Sequence, residues 1–472
     1  MNRWSVTITG EQWAELEGHL FPGDGDEHGA ILRCGIAETA SGTRLLVRDV
    51  VPARDGVDYV PGRRGYRMLT EEFVLNNITV CDDERLAYLA VHCHGGVHEV
   101  GFSGDDFASH ARGYPALLGI SRGMPVGALV FAKDAVAGDI WLEDGGRVEI
   151  EGMRVAGRPR RWLQPAPTLT LSGDPTYDRQ SRIFGDRGQE LLRKQKVAVI
   201  GLGGGGSMIS ELLARLGVGH IVLIDPDRVE LTNLPRIVGA RRLDALPWMS
   251  DKRRPSWVRS IAALLRTPKV SVAKRVIRQA SKKIRVTPVQ GTVADRSVAD
   301  LLLDCDQIFL AADTALARHV INAIAHQYLI PVTQIGAKVS VDKSGNLTDV
   351  FSVSRASTPG AGCMWCNGLV NSDRLRIEIT SSEQLQRQRY VDDDSVVSPS
   401  VITLNAVAAA QAVNEWLMDV TGITQPYAQT SWHQMDALTG EHLLELPRID
   451  QMCRECGSRR FGRGDSVELP TR

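Results

Sequence analysis

The chain of 472 residues lacks the features that mark membrane and nucleic-acid proteins. Residues 1–5 open no apolar signal segment, so we expect a cytoplasmic protein. The longest uncharged stretch, residues 395–414, contains Pro399, Asn405 and Gln411, which favours a buried helix start over a membrane span. Lys and Arg number 55 against 56 Asp and Glu, and without a basic excess a nucleic-acid partner is disfavoured.

The chain also has few cysteines, and eight of them in a chain of this length do not indicate a disulfide scaffold. Four of them stand in two Cys-x-x-Cys pairs, which in a cytosolic protein favours a metal site over disulfides. The hydrophobic content of 43% is that of an ordinary globular protein, and the length fits two large domains or three smaller ones.

A change of pattern divides the chain. Residues 1–155 alternate short apolar runs with turns, which predicts a mixed α/β domain. Residues 156–175 are rich in Pro, Gly and Arg and predict a linker. Residues 176–460 alternate strands and helices, which predicts a Rossmann-like domain with a mostly parallel sheet. Residues 461–472 are predicted to be a loose tail.

A glycine loop follows the first predicted strand of the second domain. In Gly201-x-Gly203-x-x-Gly206 the first glycine permits a tight turn, the second lets a phosphate approach the backbone, and the third lets the next helix pack against the sheet. The N-terminus of that helix favours an anion. Asp225 ends the next strand, where an acid can hydrogen-bond ribose hydroxyls. The loop therefore predicts a nucleotide site, and by itself it fits NAD or FAD as well as ATP.

An ordered series of residues surrounds this loop. It consists of Tyr177-Asp178-Arg179-Gln180, the glycine loop, Asp225-Pro226-Asp227, Asn233-Leu234-Pro235-Arg236, Pro268-Lys269, Asp313 and the two Cys-x-x-Cys pairs. The series resembles the MoeB/ThiF family, the adenylating module of ubiquitin-activating enzymes, over about residues 176–457. The resemblance implies ATP and Mg²⁺, with Asp225 and Asp227 at the nucleotide.

The resemblance also implies a role for the charged residues of the series. Arg236 and Lys269 are the expected phosphate clamps, Asp313 the Mg²⁺-linked acid, and Asn233 a residue that fixes the loop. Arg179 matches the arginine that reaches the active site of the partner subunit in this family, which implies a homodimer. These roles fit the chemistry, because a C-terminal carboxylate attacks the α-phosphate of ATP and cations must spread the developing negative charge.

The cysteine pairs suit a zinc ion. Cys363, Cys366, Cys453 and Cys456 fit a tetrahedral four-thiolate site, which is closed and structural. Ubiquitin-activating enzymes carry a thioester cysteine after their first Cys-x-x-Cys pair, but here no cysteine lies between the two pairs, and residues 392–395, Asp-Asp-Asp-Ser, occupy part of that stretch. We therefore predict adenylation alone, with the thiol supplied by another protein.

A second signature lies in the front domain. His92-x-His94 at the end of a predicted strand places two imidazoles on one face, because side chains alternate along a strand, and Asp106 can supply a third ligand. Three ligands leave one zinc position for water, whose pKa falls toward about 7. Glu27, before an early strand, can then take the proton, and Ser103 can hydrogen-bond the oxyanion of the tetrahedral intermediate.

This pattern resembles the JAMM (JAB/MPN) metalloproteases, which cut bonds after ubiquitin-like tails, over about residues 5–150. Eight residues separate the second histidine from the serine, which fits the family spacing. Two residues depart from the family pattern, since Cys93 replaces the usual Ser or Thr and Gly95 the usual Pro. Neither change removes a catalytic group, although a thiol beside zinc could perturb ligation. His110 is predicted to be a surface residue.

These signatures predict a two-domain enzyme. It would adenylate the C-terminus of a ubiquitin-like or sulfur-carrier protein and, by processing precursors or removing conjugates, cut the same class of protein. A dinucleotide-dependent oxidoreductase is the second hypothesis, but it leaves Arg179, Lys269 and the cysteine pairs without a role. A scaffold without chemistry is the third, and a metal-free docking domain is the alternative for the front half alone.

Overall fold

The computed structural model describes residues 3–61, 67–158, 160–166, 173–342, 346–379, 400–423, 432–457 and 459–472. Within them the chain forms two compact units. The first consists of residues 1–170 with two short later segments, 326–329 and 456–468, and the second consists of the remainder. No helix in the described part of the chain is both long enough and apolar enough to cross a membrane.

The first unit is a mixed α/β structure, as the sequence predicts. Its elements in chain order are β1 (Trp4–Thr9), α1 (Gly10–Leu20), β2 (Gly29–Thr39), β3 (Gly42–Pro52), α2 (Glu71–Glu84), β4 (Ala87–Cys93), α3 (Gly104–Ile120), β5 (Val126–Ala132), β6 (Ala135–Trp141), β7 (Arg147–Ala156) and β8 (Arg161–Leu163). The strands form one sheet in the order β1-β3-β2-β4-β5-β6-β7-β8, and a parallel pairing of β1 with β7 closes it on itself.

Alternation along the strands of this sheet divides the apolar side chains between two clusters. On β2, Leu32 lies in a cluster shared with α1, whereas its neighbour Ile31 lies in a second cluster shared with α2 and α3. On β4 the same rule places Cys93 in the first cluster. His92 and His94 therefore lie on the opposite face, which α2 and α3 cover.

The predicted linker and tail are more structured than their composition indicates. Strand β8 lies inside the predicted linker and pairs with β7, where Leu163 is buried. Within the predicted tail, Gly464 forms a β-bridge with Ile36 of β2. The Asp465 carboxylate accepts the N–H of Glu38 at 2.6 Å.

Glycine residues allow this segment to pack closely against β2. A Cβ atom at Gly35 of β2 would lie 2.0 Å from the carbonyl oxygen of Gly462, so this approach of two backbones requires a residue without a side chain. Because the contact is formed by backbone atoms, a polar Gly- and Arg-rich sequence can be ordered without apolar periodicity.

The second unit alternates strands and helices. Its elements are α4 (Asp178–Lys194), β9 (Lys196–Ile200), α5 (Gly204–Leu216), β10 (His220–Ile224), α6 (Arg242–Ala245), α7 (Pro247–Ser250), α8 (Ser256–Leu265), α9 (Lys269–Ala280), β11 (Arg285–Val289), α10 (Arg296–Ala299), β12 (Gln307–Leu310), α11 (Ala315–Gln327), β13 (Val332–Val341), β14 (Leu347–Ser357), α12 (Ser372–Ile379), α13 (Ile402–Thr421), β15 (Trp432–Asp436) and β16 (His442–Glu445).

These strands form a sheet in the order β11-β10-β9-β12-β13-β14-β15-β16. The neighbours from β11 to β13 pair in parallel, which confirms the predicted parallel sheet, and β14 to β16 extend it with antiparallel pairs. Apolar residues of α5, α9 and α13 pack in one cluster with those of β9 and β10. The central strand β9 is thus buried, and its carboxyl end leads into the glycine loop.

Candidate functional sites

Three parallel strands of the second unit end together at one edge of the sheet. Ile200 of β9 is in register with Ile224 of β10 on one side and with Leu310 of β12 on the other. The loops that follow these strands carry the glycine loop, Asp225 and Asp313. From β9 the chain continues to β10 on one side, whereas β12 lies on the other side of β9, so the strand order reverses at β9. Ligands of open α/β sheets bind at such a reversal.

The glycine loop has the geometry that its sequence predicts. Gly201 has φ +83°, and a Cβ atom there would lie 2.7 Å from the amide nitrogen of Ala312. A Cβ atom at Gly206 would lie 1.8 Å from the carbonyl oxygen of Gly201, whereas one at Gly203 would meet nothing within 4 Å. Helix α5 begins at Gly204 without a side-chain cap. Its N-terminal N–H groups and the open space at Gly203 suit a phosphate.

Asp225 and Lys269 adjoin this loop. The Asp225 carboxylate accepts the N–H of Leu202 at 2.6 Å and that of Asp227 at 2.8 Å. The Lys269 amine lies 2.7 Å from Asp227 and 3.6 Å from Asp225. Burial raises the pKa of Asp225, and the charge of Lys269 acts in the opposite direction. The structure therefore holds a largely buried cation beside the glycine loop.

The remaining predicted nucleotide residues lie in the adjoining loops. Asn233 is buried, and its Oδ1 atom accepts the N–H of Glu230 at 3.1 Å, so that it closes a turn. Arg236 is partly exposed and donates to the carbonyl oxygen of Thr232 at 3.1 Å. Asp313 is exposed between β12 and α11.

Arg179 is not brought to the glycine loop of its own chain. Its neighbour Gln180 donates to the carbonyl oxygen of Leu216 at 3.1 Å, and Leu216 is the last residue of α5. The glycine loop adjoins the first residue of the same helix. A helix of 13 residues separates its ends by about 18 Å, so Arg179 lies at the far end of α5.

Two charged residues near Asp313 were not singled out from the sequence. The Glu378 carboxylate accepts the N–H of Ala315 at 3.1 Å and that of Leu316 at 2.7 Å, which caps the first turn of α11. Arg318 donates to the carbonyl oxygen of Leu369 at 3.0 Å, and burial lowers its pKa, although Asp313 and Glu378 oppose this change. Arg318 could have been recognised from the sequence, because it is a cation in the first turn of the helix that follows Asp313. Glu378 could not, because it is remote from Asp313 in sequence.

The four predicted metal-binding cysteines are brought together. The sulfur of Cys363 lies 3.5 Å from that of Cys366 and 3.8 Å from that of Cys453, and all four sulfurs, including Cys456, lie within 4.8 Å of one another. Within the described residues these cysteines form no disulfide bond. A tetrahedral zinc ion about 2.3 Å from each sulfur needs sulfur separations of about 3.8 Å, so the cluster fits such an ion. Residues 392–395, considered in place of a thioester cysteine, lie outside the described residues.

The predicted front cluster also converges. The Nε2 atoms of His92 and His94 are 3.1 Å apart, and they lie 3.3 and 3.4 Å from the two carboxylate oxygens of Asp106. Ligands about 2.0–2.1 Å from a tetrahedral zinc ion are separated by about 3.3 Å, so the three residues fit this ion. Strand β4 supplies His92, His94 follows one residue after the strand ends, and Asp106 stands in the first turn of α3.

Glu27 and Ser103 flank these three residues. A carboxylate oxygen of Glu27 lies 3.9 Å from Nε2 of His94, and burial raises the pKa of Glu27 while His94 opposes this. The Ser103 hydroxyl caps α3 and donates to Asp106 at 2.7 Å. Burial alone would raise the pKa of Asp106, but hydrogen bonds from His92 and Ser103 hold it below its usual range. The Glu27 carboxylate thus stands beside the cluster of His92, His94 and Asp106.

Two expectations about neighbouring side chains are wrong. The Cys93 thiol does not face the histidines, because it accepts the N–H of His28 at 3.2 Å and donates to the carbonyl oxygen of Leu20 at 3.0 Å in the core. His110 is buried and stacks on Tyr114 with 4.6 Å between ring centroids. Burial lowers the pKa of His110 to about 4. Sequence alone did not show that α3 turns this residue inward.

The shared sheet edge, the glycine turn and the uncapped helix are typical of nucleotide-binding α/β domains. Residues 177–458, more than half of the chain, match the model of the ThiF family, and the chain belongs to this family. The predicted MoeB/ThiF resemblance is confirmed.

Curated relatives share part of this region. The chain is 30% identical over 168 residues to molybdopterin-synthase adenylyltransferase of Escherichia coli K12, covering 35% of this chain and 59% of that protein. It is 30% identical over 170 residues to the SAMP-activating enzyme E1 of Haloferax volcanii, covering 35% and 56%. It is 29% identical over 190 residues to the sulfur carrier protein ThiS adenylyltransferase of Bacillus subtilis, covering 40% and 49%. The chain therefore spans about half of each relative.

Among solved structures, E. coli MccB with MccA matches with a TM-score of 0.45 and 21% identity, covering 60% of this chain and 75% of that one.

Proposed function

We propose that the second unit uses ATP and Mg²⁺ to adenylate the C-terminal carboxylate of a small ubiquitin-like or sulfur-carrier protein. The single observation that carries this proposal is the meeting of the glycine loop, Asp225 and Asp313 at one sheet edge in a chain of the ThiF family. A carboxylate oxygen attacks the α-phosphorus, and the bond from this phosphorus to the bridging oxygen of the β-phosphate breaks. The products are the acyl adenylate and pyrophosphate.

The charges of the site suit this reaction. Two anions must approach each other, so the N-terminus of α5 and the cations Lys269 and Arg236 would stabilise the phosphates. Lys269 now contacts Asp225 and Asp227, and a bound nucleotide would add a further anionic partner to it. Asp313 would hold Mg²⁺, which neutralises charge on the phosphate oxygens. The name of the Bacillus subtilis relative, sulfur carrier protein ThiS adenylyltransferase, supports a carrier-protein substrate.

We further propose that the enzyme is a homodimer in which Arg179 acts on the partner's nucleotide. Support comes from its place at the far end of α5, a helix whose two ends are about 18 Å apart and whose first residue adjoins the glycine loop. An arginine with a role at the nucleotide must then come from a second copy. A carboxylate-activating site completed in this way would be inactive as a monomer.

For the first unit we propose a zinc-dependent peptidase of the JAMM type, acting on the same class of small protein. His92, His94 and Asp106 would hold the metal, which supplies Lewis acidity and lowers the pKa of a bound water. Glu27 would accept the proton of the attacking water, and the Ser103 hydroxyl would donate a hydrogen bond to the oxyanion of the tetrahedral intermediate. The separations within this cluster support the proposal.

The four cysteines are proposed to hold a second zinc ion with a structural role. Four thiolates leave no open coordination position, so no catalytic step is assigned to this site. Burial raises the pKa of Cys366 to about 11, so zinc binding must release protons, and the apparent affinity is expected to rise with pH.

The adenylation proposal is tested by ATP–pyrophosphate exchange with small β-grasp proteins that end in Gly-Gly. Exchange that depends on the terminal carboxylate is expected, and a C-terminally amidated protein is the matched control. Absence of exchange with every candidate would contradict the proposal. The peptidase proposal is tested separately, with the same proteins fused at their C-termini to a reporter peptide.

A further inference from the structure

The loop that carries Glu27 is held on both sides of this residue. On one side, the Asp26 carboxylate accepts a hydrogen bond from the Arg67 guanidinium at 2.6 Å. On the other side, the Tyr59 hydroxyl accepts the N–H of Gly29 at 2.8 Å. Both holding side chains come from the connection between β3 and α2, so one neighbouring segment fixes the backbone before and after the base.

The two holding side chains also support each other. The Arg67 guanidinium lies over the Tyr59 ring, 5.0 Å from its centroid, and its other nitrogen binds Asp55. The side chain of Arg67 is 20% exposed and that of Asp26 is 18% exposed, so water screens this ion pair only in part. We call Tyr59, Arg67 and their contacts with Asp26 and Gly29 the base clamp.

A second set of contacts ties the same loop to β4. The imidazole of His28 lies 3.0 Å from Asp24, and its main chain exchanges hydrogen bonds with Cys93 of β4. Glu27 therefore stands in a loop that is tied both to β4 and, on each side of this residue, to the base clamp. These contacts fix the main chain around Glu27. The glutamate side chain has several rotatable bonds of its own, so the position of the main chain decides which rotamers bring the carboxylate to the histidines.

We propose that Tyr59 and Arg67 are positioning residues that hold the Glu27 carboxylate beside the metal ligands. The inference rests on the proposed peptidase function, in which Glu27 accepts a proton. Displacement of a reacting group by about 1 Å can cost about 100-fold in rate, so a clamp that fixes the loop controls the rate of proton transfer without touching the substrate.

The test compares Arg67→Gln, Arg67→Lys and Tyr59→Phe with the wild-type full-length protein loaded with zinc. The substrate probe is a Gly-Gly β-grasp protein fused to a reporter peptide. Arg67→Gln is expected to lower kcat by about 10- to 100-fold with KM changed by less than about twofold. Arg67→Lys should recover part of the loss, since it keeps the charge but loses the planar fork. Tyr59→Phe should lower kcat by less than Arg67→Gln does, because it keeps the aromatic ring beneath the guanidinium.

A second readout does not need catalysis. Hydrogen exchange of the amides of residues 24–29 is expected to accelerate about tenfold in Arg67→Gln, because the loop opens more often. The matched control is Arg122→Gln, which removes another arginine–aspartate pair of the first unit, the one with Asp82. It should leave both kcat and exchange in residues 24–29 unchanged.

The outcomes separate the two levels of inference. Unchanged exchange and unchanged kcat in Arg67→Gln would overturn the clamp, and so would a loss explained entirely by lower zinc content or by KM. If the wild-type protein cleaves no fusion, the peptidase proposal fails, and the exchange measurement still decides whether the clamp holds the loop. If Arg67→Gln does not fold, Arg67→Lys and Tyr59→Phe carry the same comparison.

Discussion

The ligand cluster of the first unit and the nucleotide crevice of the second unit differ in how their residues meet. His92, His94 and Asp106 are close in sequence, and their ligand atoms lie 3.1 to 3.4 Å apart. The proposed nucleotide residues extend from Arg179 to Asp313, and Lys269 is paired with the acids beside it. A single ion requires its ligands to converge, whereas a nucleotide with three phosphates requires a space between the groups that bind it.

The two sites also differ in whether one chain contains all of their proposed residues. The convergent cluster can be checked inside one chain, because every proposed ligand is present there. The open crevice cannot be checked in the same way, because one proposed participant, Arg179, lies at the far end of α5. Variants of each site can show whether the two sites are separable, and whether the second is completed by another copy of the chain.

The largest effects are expected from removing one acid at each site. Asp313→Ala should lower ATP–pyrophosphate exchange by about 100- to 1,000-fold and leave cleavage unchanged, because the Mg²⁺-linked acid is lost. Glu27→Ala should lower cleavage by about 100- to 10,000-fold and leave exchange unchanged, because no group accepts the proton. The exposed acids Glu15 and Asp251 supply control substitutions to alanine. Loss of both activities from either change would show that the sites are not separable.

The next effect concerns the second copy. Arg179→Ala alone and Asp313→Ala alone should each have little exchange activity, but mixing the two variants should restore about a quarter of the wild-type activity. The reason is that half of the randomly formed dimers contain one complete site of two. Exchange is measured after subunits have re-equilibrated, and sedimentation confirms the dimer. No recovery in verified mixed dimers would place Arg179 outside the partner's site.

The glycine loop allows a smaller, paired test. Gly206→Ala should lower the free energy of unfolding by about 1–3 kcal/mol, because its Cβ atom would lie 1.8 Å from the Gly201 carbonyl oxygen. Gly203→Ala should cost less than about 1 kcal/mol, because the position is open, yet it should weaken ATP binding by obstructing the phosphate. Thermal unfolding and ATP titration measure the two effects. Equal ATP affinity in Gly203→Ala and wild type would contradict the assigned phosphate position.

The smallest effect is expected at Cys93, the thiol that the sequence suggested could perturb zinc ligation in the front site. Cys93→Ser should lower the free energy of unfolding by about 1 kcal/mol and change cleavage by less than about twofold. The serine hydroxyl can keep the hydrogen bonds with His28 and Leu20, and the side chain faces the core. Denaturant unfolding and the fusion assay measure these changes. A large loss of cleavage with unchanged stability would show that this side chain acts on the metal.

Much of the architecture was predictable because it depends on short-range patterns. Strand–helix alternation and the glycine loop indicated the parallel sheet and the position of a nucleotide site. Period-two alternation along β4 indicated that His92 and His94 share a face. The same rule, applied to Cys93, predicts a side chain directed the other way, and the structure places this thiol in the core.

Other features could not be predicted because they depend on distant or backbone contacts. Glu378 caps α11 from more than 60 residues away, so no local pattern marks it. The segment around Gly464 pairs with β2 through main-chain atoms, so its composition still resembles that of a tail. The burial of His110 depends on how α3 lies against the sheet, which neither residue spacing nor hydrophobicity determines.

The sequence by itself determined the class of the second unit and indicated the two clusters, His92, His94 and Asp106 in front and the four cysteines behind, because residue type and spacing favour such groupings. Only the tertiary structure decided which charges actually meet: that Lys269 contacts two acids, that Arg179 stands a helix length from the glycine loop, and that Tyr59 and Arg67 hold the turn around Glu27. Distances of this kind arise when the chain packs into a core, since packing brings together residues whose separation in sequence carries no information about their contact.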